Sequence, residues 1–93
     1  MIHVLIERQI DEGMLSTYEE NSRAILHRSF NAEGFISGEA FSDVNDPLHC
    51  FLLCKWHSLK DWQNWAASEE RAELMNLIAP ILTEPEKVTI LEN

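Results

Sequence analysis

An α+β fold of order β-α-β-β-α-β is predicted by three features of this 93-residue chain. Apolar residues alternate at period two near both ends. A central run, Leu48 to Trp56, is apolar on both parities, and the segments between carry helical spacing bounded by turn and cap residues. A four-stranded antiparallel sheet with both helices on one face satisfies all three.

The first strand covers residues 2 to 9, where Ile2, Val4 and Ile6 alternate with His3, Leu5 and Glu7. Asp11 and Glu12 then place negative charge at a helix start, next to Gly13. Met14, Leu15, Tyr18, Ser22, Ile25, Leu26, Ser29 and Phe30 gather on one side of that helix. Glu19, Glu20, Arg23, Ala24 and His27 take the other. Asn31 to Gly34 reads as a helix stop, and Phe35 to Val44 as a second strand in which Gly38 marks a bulge or a close approach.

Asn45-Asp46-Pro47 is expected to turn the chain into the third strand, Leu48 to Trp56, whose double-sided apolarity marks burial on two faces. Ser58 followed by Asp61 resembles a capping box, and Trp62, Trp65 and Ala66 give the helix after it an apolar side. Ser68, Glu69 and Glu70 form a second helix start, so a kink or two consecutive helices are expected before Leu74, Leu77, Ile78 and Ile81. Pro80 and Pro85 close the segment, and Lys87 to Glu92 alternates as the last strand. This order is the ferredoxin-like arrangement in one domain spanning 1–93. Two helices cover one face of the sheet only. The other face is expected to meet its counterpart in a second copy, giving a homodimer.

A formal net charge of -9 repels phosphate backbones and anionic lipid, so neither nucleic acid nor membrane is an expected partner. The first residues, MIHVLIERQ, contain no basic segment leading into a long apolar run, and a cytoplasmic location is expected. Cys50 and Cys54, four residues apart on one strand, are separated by roughly 13 Å. That is too far for a disulfide, so two buried free thiols are expected.

The residues resemble the antibiotic biosynthesis monooxygenase family over nearly the whole chain. The likeness rests on IHVLIERQI before the Tyr18 helix, on Gly34-Phe35-Ile36-Ser37-Gly38, and on Cys54-Lys55-Trp56 leading into Ser58-Leu59-Lys60-Asp61-Trp62 and Trp65. It implies a dimeric α/β barrel with a pocket between sheet and helices. It further implies cofactor-independent oxygenation of a small aromatic, quinol-like or polyketide-like molecule by dioxygen. In the family's haem-degrading branch an Asn, a Trp and a His hold the substrate. The matching positions here are Glu7, Trp65 and Met75, so haem degradation is not expected.

Oxygenation without a cofactor needs an apolar cavity, a base and a few polar groups. Glu7 is the first candidate base, expected to point beneath the helices, and His49 is the second catalytic candidate. Trp65, Tyr18, His3 and Met75 are candidate substrate contacts, Trp65 by stacking and Tyr18 through its hydroxyl. His3, His27, His49 and His57 show no metal-ligand spacing, so no metal site is expected. Without a glycine-rich phosphate loop, no nucleotide cofactor is expected either. A non-catalytic small-molecule binding or stress-related module on the same barrel is the alternative function.

Overall fold

The computed structural model describes residues 1–93 and has the element order β1 (Ile2–Gln9), α1 (Leu15–Ser29), β2 (Phe35–Asp43), β3 (Asp46–Trp56), α2 (Leu59–Ala66), α3 (Glu69–Met75) and β4 (Lys87–Leu91). A single 3-10 turn at Ala79–Ile81 follows α3. The strands form one antiparallel sheet of order β2-β3-β1-β4, so the first and third strands are central and the other two are edges.

The split of the second helical segment follows from its two caps. Ser58 Oγ accepts from Asp61 N at 3.2 Å and starts α2, and Ser68 Oγ accepts from Arg71 N at 3.1 Å and starts α3. The turn between β2 and β3 is tighter than the sequence suggests, because β3 already begins at Asp46 and only Val44 and Asn45 lie outside the strands. Asp43 Oδ1 accepts from Asn45 N at 2.8 Å and fixes that turn, leaving Pro47 near the start of a strand, where its missing N–H is tolerated.

Strand alternation decides which face each side chain occupies. Along β1, Ile2, Val4, Ile6 and Arg8 are buried against the helices, while His3, Leu5, Glu7 and Gln9 lie half-buried on the uncovered face. Register carries the same division into β3. Cys50, Leu52, Cys54 and Trp56 face the helices, and His49, Phe51, Leu53 and Lys55 face outward.

The core has two parts. Ile2, Val4, Ile6, Leu52, Cys54 and Trp56 pack with Trp62 and Trp65 of α2. Ile10, Tyr18, Ile25, Cys50, Ile78 and Ile81 form the second part beneath α1. Gly38 serves close approach: a Cβ there would lie 2.6 Å from Leu26 Cδ1 of α1. The extra residue in β2 falls two positions earlier, at Ile36, where the pairing shifts between Phe35 and Ser37. Both cysteines are free and buried.

Candidate functional site

A cavity of about 310 Å³ opens between α1 and the paired strands β2 and β3. Leu15, Leu26, Ala40, Pro47 and Leu52 supply apolar wall, while Tyr18, Glu19, Ser22, Arg23, Ser42 and Cys50 supply polar atoms. The position follows from α1: residues 15, 18, 22 and 26 are spaced along one helical face, with Glu19 and Arg23 beside them toward solvent. A cavity with apolar wall and several polar atoms is a candidate binding site for a small organic molecule.

Tyr18 is 5% exposed, and its hydroxyl is set by a residue that sequence reasoning passed over. Arg8, 2% exposed on the helix-facing side of β1, donates from Nη1 to the Tyr18 oxygen at 3.3 Å. Its Nε donates to Glu86 Oε2 at 2.9 Å, and Nη2 has the Met75 sulfur at 3.7 Å. Arg71 of α3 donates to the other oxygen of Glu86 at 2.8 Å and stands over the Trp62 ring at 5.4 Å.

Burial works against the charge on Arg8, and attraction to Tyr18 and Glu86, with the hydrogen bonds to both, outweighs it and raises its pKa. For Glu86, burial pushes the carboxyl up, yet the Arg71 and Arg8 guanidinium groups hold it below its ordinary value. The period-two pattern of Ile2, Val4 and Ile6 puts Arg8 on the buried face, and that was the available signal: a cation continuing an apolar row.

The same parity corrects the expectation for Glu7. It does not point beneath the helices: it lies on the uncovered face, because the apolar row that packs on α1 and α2 is the even one. There Glu7 Oε1 lies 3.5 Å from His49 Nε2, and His49 Nδ1 lies 3.4 Å from Asp43 Oδ2, with Phe51 against the imidazole at 4.3 Å between ring centroids. Lys87 stands 3.9 Å from the other Glu7 oxygen. His3 shares this face. The structure thus joins Glu7 and His49, separates both from the cavity, and leaves Tyr18 as the one sequence candidate on its wall.

Trp65 is buried in the first core cluster and borders a smaller recess with Asp61, Asn64 and Ser68 instead. Met75 packs behind Tyr18, against the second cluster. The two thiols are poor nucleophiles. Burial pushes Cys54 up to about 11, and burial followed by the nearby Glu19 carboxylate also raises Cys50.

A four-stranded ferredoxin-like sheet with a cavity beneath its first helix defines the α+β class of this protein, and sequence comparison narrows it. Residues 1–77 match the antibiotic biosynthesis monooxygenase family, and the chain belongs to that family. No curated protein matches the sequence. Among solved structures, family proteins from Bordetella bronchiseptica and Nitrosomonas europaea superpose with TM-scores of 0.91 and 0.88 at 15% and 16% identity. The first alignment covers 99% of this chain and 95% of that one; the second covers 100% and 98%. A variant of SnoaB, a cofactor-independent oxygenase from Streptomyces nogalater, superposes at 0.88 with 8% identity over 99% of this chain and 91% of that one. These likenesses establish a shared fold.

Proposed function

We propose that this protein is a cofactor-independent monooxygenase of a small aromatic, quinol-like or polyketide-like substrate bound in the α1–β2–β3 cavity. The observation that carries the reading is a largely apolar cavity of about 310 Å³ with the buried Tyr18 on its wall. Family membership supports the reaction type. A substrate methylene flanked by aromatic or carbonyl groups loses a proton to Glu19, the one carboxylate on the cavity wall. Charge moves to the substrate oxygen, where the Tyr18 hydroxyl donates to it. The carbanion reduces dioxygen: one oxygen atom becomes the new carbonyl on carbon, and the other leaves as water with the two hydrogens of the methylene.

The uncovered sheet face supports a homodimer. Leu5 and Leu53 lie opposite each other there, Phe51 and Phe41 do the same, and Phe41 and Leu91 are about half exposed. In that assembly Glu7, His49 and His3 belong to the contact between copies.

A binding module without chemistry is the second reading, favoured by one observation: Glu19, the one carboxylate on the cavity wall, is exposed to solvent. Dioxygen uptake by metal-stripped protein with hydroquinones and anthrones, corrected for autoxidation, separates the two. Uptake that disappears on heat denaturation is expected. Binding without uptake across the panel would leave the module.

A further inference from the structure

Two guanidinium groups, Arg8 and Arg71, share the single carboxylate of Glu86 behind the cavity wall. One positive charge is therefore left uncompensated in a region where water is scarce. The groups facing Arg8 are Tyr18 from α1, Cys50 opposite it on β3, Arg71 and Met75 from α3, and Glu86 before β4. Of these only Glu86 is a carboxylate, while α1 adds Glu19 and Arg23 on the cavity side. Arg8 spends one nitrogen on the Tyr18 oxygen and another on a thioether, which is a weak acceptor.

Because arginine can only donate, the Tyr18 oxygen is an acceptor on that side, and its phenolic proton, which makes no hydrogen bond within the chain, is left for a ligand in the cavity that Tyr18 lines. A hydroxyl so held gives a hydrogen bond more readily than it takes one. Its best partner is an oxygen that has lost its own proton; the surplus charge behind it and Arg23 on the wall favour that choice, and Glu19 on the same wall opposes it.

We infer that Arg8 is a positioning residue that turns Tyr18 into a one-way donor and so makes the cavity select ligands bound as a phenolate or enolate over their neutral forms. This rests on the cavity being the ligand site, as proposed above. Arg8 touches no ligand; it acts through the Tyr18 oxygen.

The test uses 4-nitrophenol, whose ionised form absorbs in the visible, and its methyl ether 4-nitroanisole, which cannot ionise. With wild-type protein in excess, the ionisation midpoint of bound 4-nitrophenol falls by about one pH unit, which is a tenfold preference for the anion. Tyr18→Phe and Arg8→Met each erase that fall, each weakens 4-nitroanisole less than it weakens 4-nitrophenolate, and the double variant behaves as Tyr18→Phe alone. Arg8→Met leaves Glu86 paired one to one with Arg71, and Tyr18→Phe keeps the ring, so at least one folded variant is expected.

An unchanged or raised midpoint in the wild type overturns the inference, as does a full shift retained in Arg8→Met. If 4-nitroanisole binds and the wild-type midpoint stays put, the inference falls while the cavity remains the ligand site. If neither probe binds the wild type, the cavity is not the ligand site and both readings fall together.

Discussion

The two faces of the one sheet carry opposite chemistry on adjacent residues. Arg8 and Glu7 are neighbours on β1, yet the first is held by Tyr18, Glu86 and Met75 beneath the helices and the second meets His49 and Lys87 on the uncovered side. On the covered face each charge has fixed partners: Arg8 is 2% exposed and its bond to Glu86 is 2.9 Å long. Across the sheet the contacts are longer, 3.4 to 3.9 Å, between side chains that water still reaches. Short, desolvated contacts pre-organise a site, whereas long, hydrated ones contribute little until something covers them. The difference is the ground for proposing ligand chemistry on the covered face and assembly on the other.

Breaking the covered network has the largest expected effect. Glu86→Ala leaves two guanidinium groups without their carboxylate and lowers stability by about 3 kcal/mol, which thermal unfolding reads as a Tm drop of more than about ten degrees for a domain of this size. Next in size is Gly34→Ala, expected to cost about 2 kcal/mol in denaturant unfolding. Gly34 has φ 84°, and a Cβ there would fall 2.5 Å from that of Asp61.

The pH dependence has a defined sign. Glu86 ordinarily titrates near 4.5, and the two arginines hold it lower in the folded chain. Its contribution is therefore present above pH 4.5 and is lost as pH falls below that value through the folded pKa. Acid unfolding followed by circular dichroism is expected to show a shallower loss over that window in Glu86→Gln than in the wild type. Lys87→Ala marks the small end of the scale. The ammonium is 76% exposed and 3.9 Å from Glu7, so unfolding should move by no more than about 0.5 kcal/mol. A comparable loss from Lys87→Ala and Glu86→Ala would erase the contrast between the faces.

Assembly sharpens the contrast from the other side. Leu53→Lys places a charge opposite Leu5 in the middle of the uncovered face, and light scattering is expected to show a 10.8 kDa species in place of a dimer.

Much of the fold was legible because period-two and helical patterns state burial directly. The double apolarity of Leu48 to Trp56 marked a central strand, and Ser58 and Ser68 marked two helix starts, which the caps bear out. The β2–β3 turn was read too long, since Asp46 and Pro47 have turn chemistry but pair as strand. The site was less legible. Sequence alternation separates two faces without saying which the helices cover, and Leu5 among the odd residues gave both a claim. The row Ile2, Val4 and Ile6 wins by size, which places Arg8 inside and Glu7 outside. The Arg8–Glu86 contact joins residues 78 positions apart, and no local pattern announces it.

The assignment of ligand chemistry to the helix-covered face is tested most directly by comparing Tyr18→Phe with Glu7→Gln in dioxygen uptake, using whichever hydroquinone or anthrone the wild type turns over. The account predicts that Tyr18→Phe loses most of the heat-sensitive uptake while Glu7→Gln keeps it. Loss in Glu7→Gln with Tyr18→Phe unaffected would put the chemistry on the uncovered face and contradict the account.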